Sequence, residues 1–194
     1  MQSLTLHPAE TAAVAGTMWR IDPVHSAIGF SVRHMMLATV HGRFGGFIGT
    51  IRFEDGRPEA VEVQLDAATI DTGITKRDDH LRSADFFDVD VYPTISFRST
   101  RVESVGGFRR LHWVVVGDLT ITGVTRSVEV AVERTGGTAQ WDAGVVEFGA
   151  TATISRKDFG MEFNLPIEGG GLVVGDEVRI AIRVQANRPP TLGR

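Results

Sequence analysis

Apolar side chains recur at every second position over most of this chain, and a period of two commits a segment to a strand with one dry and one wet face. Val61, Val63 and Leu65 alternate with Glu62, Gln64 and Asp66. Val128, Val130 and Val132 alternate with Ser127, Glu129 and Ala131, and Val178, Ile180, Ile182 and Val184 alternate with Arg179, Ala181, Arg183 and Gln185. Segments 26–34, 40–53, 94–105, 108–122 and 145–157, with a short one at 18–21, bring the expectation to eight or nine strands. Asp55-Gly56, Gly106-Gly107, Thr122-Gly123, Gly136-Gly137 and Gly169-Gly170-Gly171 are the turn signals between them. Gly29, Gly45, Gly46, Gly49, Gly117 and Gly149 fall inside strand segments, where glycine marks bulges and barrel corners. The pattern predicts an all-β fold, an antiparallel sheet closed on itself.

The phase of each alternation predicts which side chains face the interior. Ile28, Phe30 and Val32 share a face with His34; Ile95 pairs in phase with Phe97; Leu111, Trp113, Val115, Leu119 and Ile121 form another row. Phe47, Ile51, Phe53, Val114 and Val116 fall on the opposite phase of their segments. Either a glycine bulge switches the phase there, or the outer face is apolar and meets a second copy, which makes a homodimer an expectation. One segment breaks the period: 75–87, TKRDDHLRSADFF, reads as a helix. Thr75 is its expected cap with Asp78 three residues on, and Ile74, Leu81 and Ala84 fall on one stripe with Arg77. The run HMML at 34–37 allows a second short helix or a wide bend.

Composition narrows the function. Twenty Lys and Arg against 24 Asp and Glu leave a net charge of −4, without the basic excess that nucleic-acid binding needs. The absence of Cys removes disulfides, thiol nucleophiles and thiolate metal sites, and fits a reducing compartment. The first 17 residues contain no Lys or Arg and no apolar run of signal-peptide length, so the expected location is cytoplasmic, and no integral membrane segment is expected. The expected organisation is an extension at 1–17, a barrel domain at 18–187 and a tail at 188–194 containing Pro189-Pro190. The histidines His7, His25, His34, His41, His80 and His112 show no HxH or HxxxH spacing, so no metal is expected. The glycine-rich runs at 42–46 and 169–171 open no helix after a strand, so no nucleotide cofactor is expected either. Asp22-Pro23-Val24-His25-Ser26 reads as a turn that sets up the following strand, since adjacent His25 and Ser26 point to opposite faces.

WRIDPVHSAIGFSVRHMM (19–36), VHGRFGGFIGTI (40–51), KRDDHLRSADFFDVDVYPTISFRST (76–100), GDLTITGVTRSVEV (117–130), ISRKDFGM (154–161) and VGDEVRIAI (174–182) occur in this order. As an ordered set they resemble the YceI-like family of polyisoprenoid-binding proteins. The resemblance implies an eight-stranded antiparallel, lipocalin-like barrel with one or two short covering helices, and an apolar tunnel for a polyprenyl phosphate or a quinone tail. Family members are often periplasmic, which this amino-terminal segment does not suggest.

The resulting expectation is a non-catalytic protein that binds, carries or sequesters an isoprenoid-type lipid. Its tunnel would be lined by Ile28, Phe30, Val32, Phe44, Ile48, Leu81, Ile95, Phe97 and Trp113, with His34, Arg77 and His80 nearest the polar head. Arg77 has a structural alternative, pinning the helix to a neighbouring carboxylate or strand-end carbonyl, and Phe86-Phe87 reads as the helix anchor. Burial of one isoprene unit offers on the order of 4 kcal/mol gross, so such a protein needs no sharp polar motif. Two other functions stay open at this stage. One is an enzyme acting on a bound lipid or aromatic, with His80 or His34 moving a proton inside the cavity. The other is a stress-linked homodimeric interaction protein whose barrel is filled by its own side chains.

Overall fold

The computed structural model describes residues 16–34, 38–105, 112–137, 144–166 and 173–189. Its strands are β1 (Thr17–Ile21), β2 (Ala27–His34), β3 (Ala38–Phe44), β4 (Phe47–Glu54), β5 (Arg57–Asp66), β6 (Ile70–Asp71), β7 (Thr94–Val105), β8 (His112–Ile121), β9 (Val124–Gly137), β10 (Val145–Ser155) and β11 (Val174–Asn187). The α-helix found among the described residues is α1 (Thr75–Arg82), between β6 and β7.

Every pairing is antiparallel. The order β1-β4-β5-β7-β8-β9-β10-β11 returns to β1 through Arg20 opposite Asn187 and Ile21 opposite Ala186, which closes an eight-membered ring. Above that seam β2 takes the place of β1 beside β11, with Ile182 opposite Ile28 and Val178 opposite Val32. β3 then pairs with β2, and β6 with β3. The barrel is thus built from long strands broken once, and the expected closed, antiparallel, lipocalin-like sheet is the observed one.

Local chemistry accounts for the breaks. The segment 40–53 is not one strand, because Gly45 and Gly46 leave the ladder and donate their N–H groups to the carbonyl and hydroxyl of Thr69 at 3.2 and 2.9 Å. This shifts the inward phase from Phe44 to Phe47, Gly49, Ile51 and Phe53. The phase conflict at Phe47, Ile51 and Phe53 is therefore resolved by a glycine break, and those three side chains belong to the core. Strand β5 is likewise separated from β6 by a 3₁₀ turn at Ala67–Thr69, where the Asp66 carboxylate accepts from the Ala68 N–H at 3.0 Å. Asp55-Gly56 and Thr122-Gly123 have positive φ at both central residues, the geometry that matches strand twist in two-residue hairpins. Gly136-Gly137, expected as a turn, instead extends β9, with Gly136 opposite Glu147. Two glycines are required by their neighbours: a Cβ on Gly42 would lie 2.3 Å from the Phe30 ring, and one on Gly117 2.5 Å from the Phe97 ring. Each aromatic occupies the space that a side chain on the glycine beside it would need.

The helix is shorter than expected. It ends at Arg82, and Ser83 to Phe87 continue as turns. Its amino-terminal cap is Ile74, without a side-chain hydrogen bond. Asp78 does the stabilising from inside: buried, it accepts from the Thr72 N–H at 2.9 Å and from the Thr72 hydroxyl. The expected stripe does not form, since Ile74 is 53% exposed and Ala84 is exposed, while Leu81 turns toward the barrel. The expected turns at Gly106-Gly107 and Gly169-Gly170-Gly171, Leu111, the run at 35–37 and most of the amino-terminal extension and tail lie outside the described residues.

Candidate functional site

The inward rows of the barrel do not meet at its centre. They leave a cavity of about 250 Å³ that runs along the bore. Burial maps its lower end. On β10, Val146 and Phe148 are 1% and 5% exposed, but the next inward residues, Ala150, Ala152 and Ile154, are only half-buried because their free side faces the hollow. On β11, Ala186 is sealed while Val184 and Ile182 are half-buried along the same row. Beneath the hollow, Trp19 meets Phe53 with ring centroids 5.1 Å apart, Phe53 meets Phe148 at 6.2 Å, and Phe148 meets Trp113 edge-on at 5.7 Å. Alternation delivers these four rings from β1, β4, β8 and β10 to one level of the barrel.

The other end carries the cover. Leu81 of α1 and Phe86 and Phe87 of the turns behind it reach the cavity from one side, and Met161, after a short 3₁₀ turn at Arg156–Phe159, reaches it from the other. Phe87 packs edge-on against Phe44 of the barrel at 5.8 Å, so the diphenylalanine anchors the cover. The two halves of the cover meet where His80, Phe86 and Phe163 cluster, with centroids 4.8 to 5.4 Å apart. Arg82 ties α1 down by donating to the carbonyls of Ala68 at 2.8 Å and Ile70 at 2.9 Å.

Arg156 is the single charged residue in the described cavity wall, and it is 3% exposed. Its guanidinium donates to the carbonyls of Gly175 at 3.0 Å, Phe163 at 2.9 Å and Met161, and to the Asp176 carboxylate at 3.1 Å. A buried cation with these partners is neutralised and hydrogen-bonded, which makes its burial tolerable. Lys157 holds the other Asp176 oxygen at 2.8 Å. The Lys157 hydrogen bond, aided by the charges of Lys157 and Arg156, keeps the Asp176 carboxyl below the ordinary carboxylate range, against the opposing effect of partial burial. Nothing in the period-two pattern singled out Arg156; its signal is a cation at the end of an apolar row, immediately before a 3₁₀ turn.

Of the expected lining residues, Ile28, Phe30, Val32, Phe44, Leu81, Ile95, Phe97 and Trp113 stand in the cavity wall. Ile48 does not: after the Gly45-Gly46 break the inward residues of β4 are its neighbours Phe47 and Gly49. His34, Arg77 and His80 are also outside the wall. His34 ends β2 between Ala38 and Val174. Arg77 donates to the hydroxyl and carbonyl of Thr72 at 2.7 and 2.9 Å, the helix-pinning arrangement. His80 pairs with Asp85 at 2.8 Å on the outer side of the cover. The turn at Asp22 to Ser26 also stands outside the wall. There Asp22 is bonded by His25 at 2.8 Å and by the Val24 N–H at 2.9 Å, and these two bonds, the His25 one first, hold its carboxyl low.

Together these features define a hollow antiparallel barrel of lipocalin-like kind, blunt at one end and covered at the other. The chain belongs to the YceI-like family: the model of the YceI-like domain matches residues 19–186. Among curated relatives, a UPF0312 protein of Photorhabdus laumondii is 35% identical over 160 residues, 81% of either chain. Protein YceI of Escherichia coli O6:H1 is 35% identical over 144 residues, 73% of either chain. Among solved structures, BcnA of Burkholderia cenocepacia superposes with a TM-score of 0.73 at 25% identity, over 86% of this chain and 99% of that one. A polyisoprenoid binding domain from Saccharophagus degradans shares the fold at a TM-score of 0.69 and 16% identity, over 90% of this chain and 100% of that one. No helix among the described residues is long and apolar enough to cross a membrane.

Proposed function

We propose that this protein binds, carries or sequesters an isoprenoid-type lipid, such as a polyprenyl phosphate or a quinone tail, with the apolar chain in the bore. The observation that carries this reading is the unfilled cavity of about 250 Å³ whose described wall contains one charged residue, itself fully engaged. An apolar hollow of this kind is costly unless occupied, because its lining forfeits packing contacts. Membership in the YceI-like family and the likeness to a polyisoprenoid binding domain support the same ligand class. The polar head belongs at the covered end, the side of Arg156 and, farther out, His34, Arg77 and His80. Of the residues that suggested a homodimer, Phe47, Ile51 and Phe53 pack inside the barrel, which leaves the half-buried Val114 and Val116 as support.

The direct test is organic extraction of the purified protein followed by mass spectrometry, with a parallel titration of delipidated protein with prenyl alcohols. A co-purifying isoprenoid, or saturable uptake of a prenyl chain, is the expected result. Protein that yields no apolar ligand and takes up none of the alcohols would overturn the reading.

A further inference from the structure

The wall of the bore is not stitched over its whole height. β9 and β10 pair from Gly137 opposite Val146 up to Ala131 opposite Thr151, and there the ladder stops. Both strands continue toward the covered end, β9 to Val124 with β8 as its ladder partner and β10 to Ser155 with β11. Among the described residues, each therefore turns an unpaired edge toward the other. The wedge between them is the 3₁₀ turn at Arg156–Phe159. It packs against β9, β10 and β11, its Phe159 side chain is buried, and the Thr122 hydroxyl of the β8–β9 hairpin donates to the Phe159 carbonyl. β5 and β7 also part, on the floor side of Glu62 and Arg98. There, however, the Ser99 hydroxyl accepts from the Val61 N–H at 2.8 Å and buried Pro58 fills the wall.

Arg126 stands on β9 at the β9–β10 split. It lies opposite Leu119, so it shares the inward phase with Leu119 and Val128, both in the cavity wall. Leu119 is buried but Arg126 is exposed, so solvent reaches the inward phase at this point. The Arg126 guanidinium donates to the carbonyl of its neighbour Thr125 at 3.0 Å, and it has no ion pair among the described residues. Arg156, by contrast, is already spent on three carbonyls and Asp176. A cation in line with an apolar row, and not neutralised by a carboxylate, is placed for an anion carried at the end of an apolar chain. We infer that the split between β9 and β10 is the portal of the bore and that Arg126 is its head-group site: an anionic isoprenoid passes its chain through the split and leaves its phosphate on this guanidinium. The inference rests on the lipid-binding reading and deepens it by giving the head a residue and the chain a way in.

Farnesyl phosphate and farnesol share a chain and differ in the head, so their affinity ratio isolates the head site. Wild type is expected to bind the phosphate at least about fivefold more tightly than the alcohol, by a margin that shrinks with added salt. Arg126→Gln should cut that margin to less than about twofold while leaving the farnesol affinity unchanged. Arg183→Gln is the control: it removes the same charge from an exposed position between the inward residues Ile182 and Val184, and should keep the margin. The portal is tested by bridging. The chain has no Cys, so a pair introduced by Glu129→Cys and Thr153→Cys, the first outward positions beyond the last rung, can be joined by a bis-maleimide. The bridge should slow release of a bound fluorescent prenyl probe by about tenfold or more, relative to the same variant capped with N-ethylmaleimide. A bridge between His80→Cys and Phe163→Cys, across the seam of the cover where the two rings lie 4.8 Å apart, should leave release within about twofold of its capped form.

A phosphate margin that is absent in wild type, survives in R126Q or is lost equally in R183Q would overturn the head site. Release untouched by the bridge across the split would overturn the portal, and slowing by the seam bridge alone would move the way in to the cover. Each of these results leaves lipid binding intact. Absence of binding for both farnesyl phosphate and farnesol would overturn the lipid reading and this inference together.

Discussion

The two ends of the barrel are closed by different physics. The floor is made of rings carried on hydrogen-bonded strands: Trp19, Phe53, Trp113 and Phe148 pack on one another with 3–5% exposure. The cover is made of one short helix and a 3₁₀ turn; Phe86, Phe87, Phe159 and Met161 pack it onto the barrel, and side-chain bonds to backbone groups tie it down. Arg82 takes the carbonyls of Ala68 and Ile70, Arg156 those of Met161, Phe163 and Gly175, Asp78 the Thr72 N–H, and the Thr122 hydroxyl the Phe159 carbonyl. Rings carried on a cooperative sheet open only with the whole domain, whereas a short segment outside the ladder can open locally. The floor is thus expected to carry global stability and, on the proposed lipid-binding function, the cover is expected to admit and release the ligand.

The largest expected effect breaks the floor. Phe53→Ala deletes the ring that joins Trp19 to Phe148 and should cost about 3–5 kcal/mol of global stability. In denaturant titration the midpoint falls and the slope holds, and hydrogen exchange accelerates across β1, β4 and β10 together. Acceleration confined to α1 and residues 156–163 would contradict the assignment of the floor to the global core. Arg156→Met comes next. It leaves three carbonyls and the Asp176 carboxylate without their cation, for about 2–3 kcal/mol. Here the loss should be local: amides of residues 156–163 and 174–176 exchange faster, and release of a bound prenyl alcohol quickens, while the β1 and β4 amides keep their protection. Uniform loss over the whole barrel would merge the two ends into one cooperative unit.

The same contrast explains what the sequence reveals. Strands β5, β9 and β11 carry apolar rows that alternate with mostly polar residues, so Val63, Val130 and Ile182 can be placed from the sequence, whereas β8 is apolar on both phases from Trp113 to Val116 and its inward row is fixed by Leu119 and Ile121. Phe53 is harder. Its phase relative to Phe44 depends on two glycines leaving the ladder, and what draws them out is Thr69, 23 residues away from Gly46. The cover is harder still. Leu81 and Phe87 are legible as apolar residues in a helical segment, but the helix boundary is set by Asp78 folding back onto Thr72, which overrides the expected Ile74 stripe. Arg156 carries no periodic signature, because its role lies in backbone carbonyls that the fold brings to it from β11 and from residues after the 3₁₀ turn. An uninterrupted reading of 40–53 puts Ile48 in the wall, and the glycine bulge offered as one resolution of the Phe53 phase is the break that turns Ile48 out.

The smallest effect is the sharpest discriminator, because Asp176 titrates beside the cover while the four rings of the floor carry no acidic group. Asp176 is tied to Lys157 and Arg156 and its carboxyl is held below its ordinary value of 3.8. A carboxyl depressed in the folded state stabilises it fully at pH values above the unfolded pKa. That contribution disappears as pH falls through the lower, folded value. Wild type should therefore keep its cover closed down to about pH 4 and lose protection of residues 156–163 progressively below it. Asp176→Asn removes the titrating group. Its cover should open somewhat more readily than wild type at neutral pH, by less than in R156M, because the guanidinium keeps its carbonyl partners. Below pH 3.8 its acid limb should be shallower. Part of the limb that remains comes from Asp71, next to α1, whose carboxyl is held low by the Gly73 N–H and by Arg43. Hydrogen exchange followed from pH 6 to pH 3 in both proteins reads the difference directly, and superimposable acid limbs would remove Asp176 from the closure of the cover. The amides of β4 and β8 serve as the internal reference, since no carboxylate lies among the rings they carry to the floor.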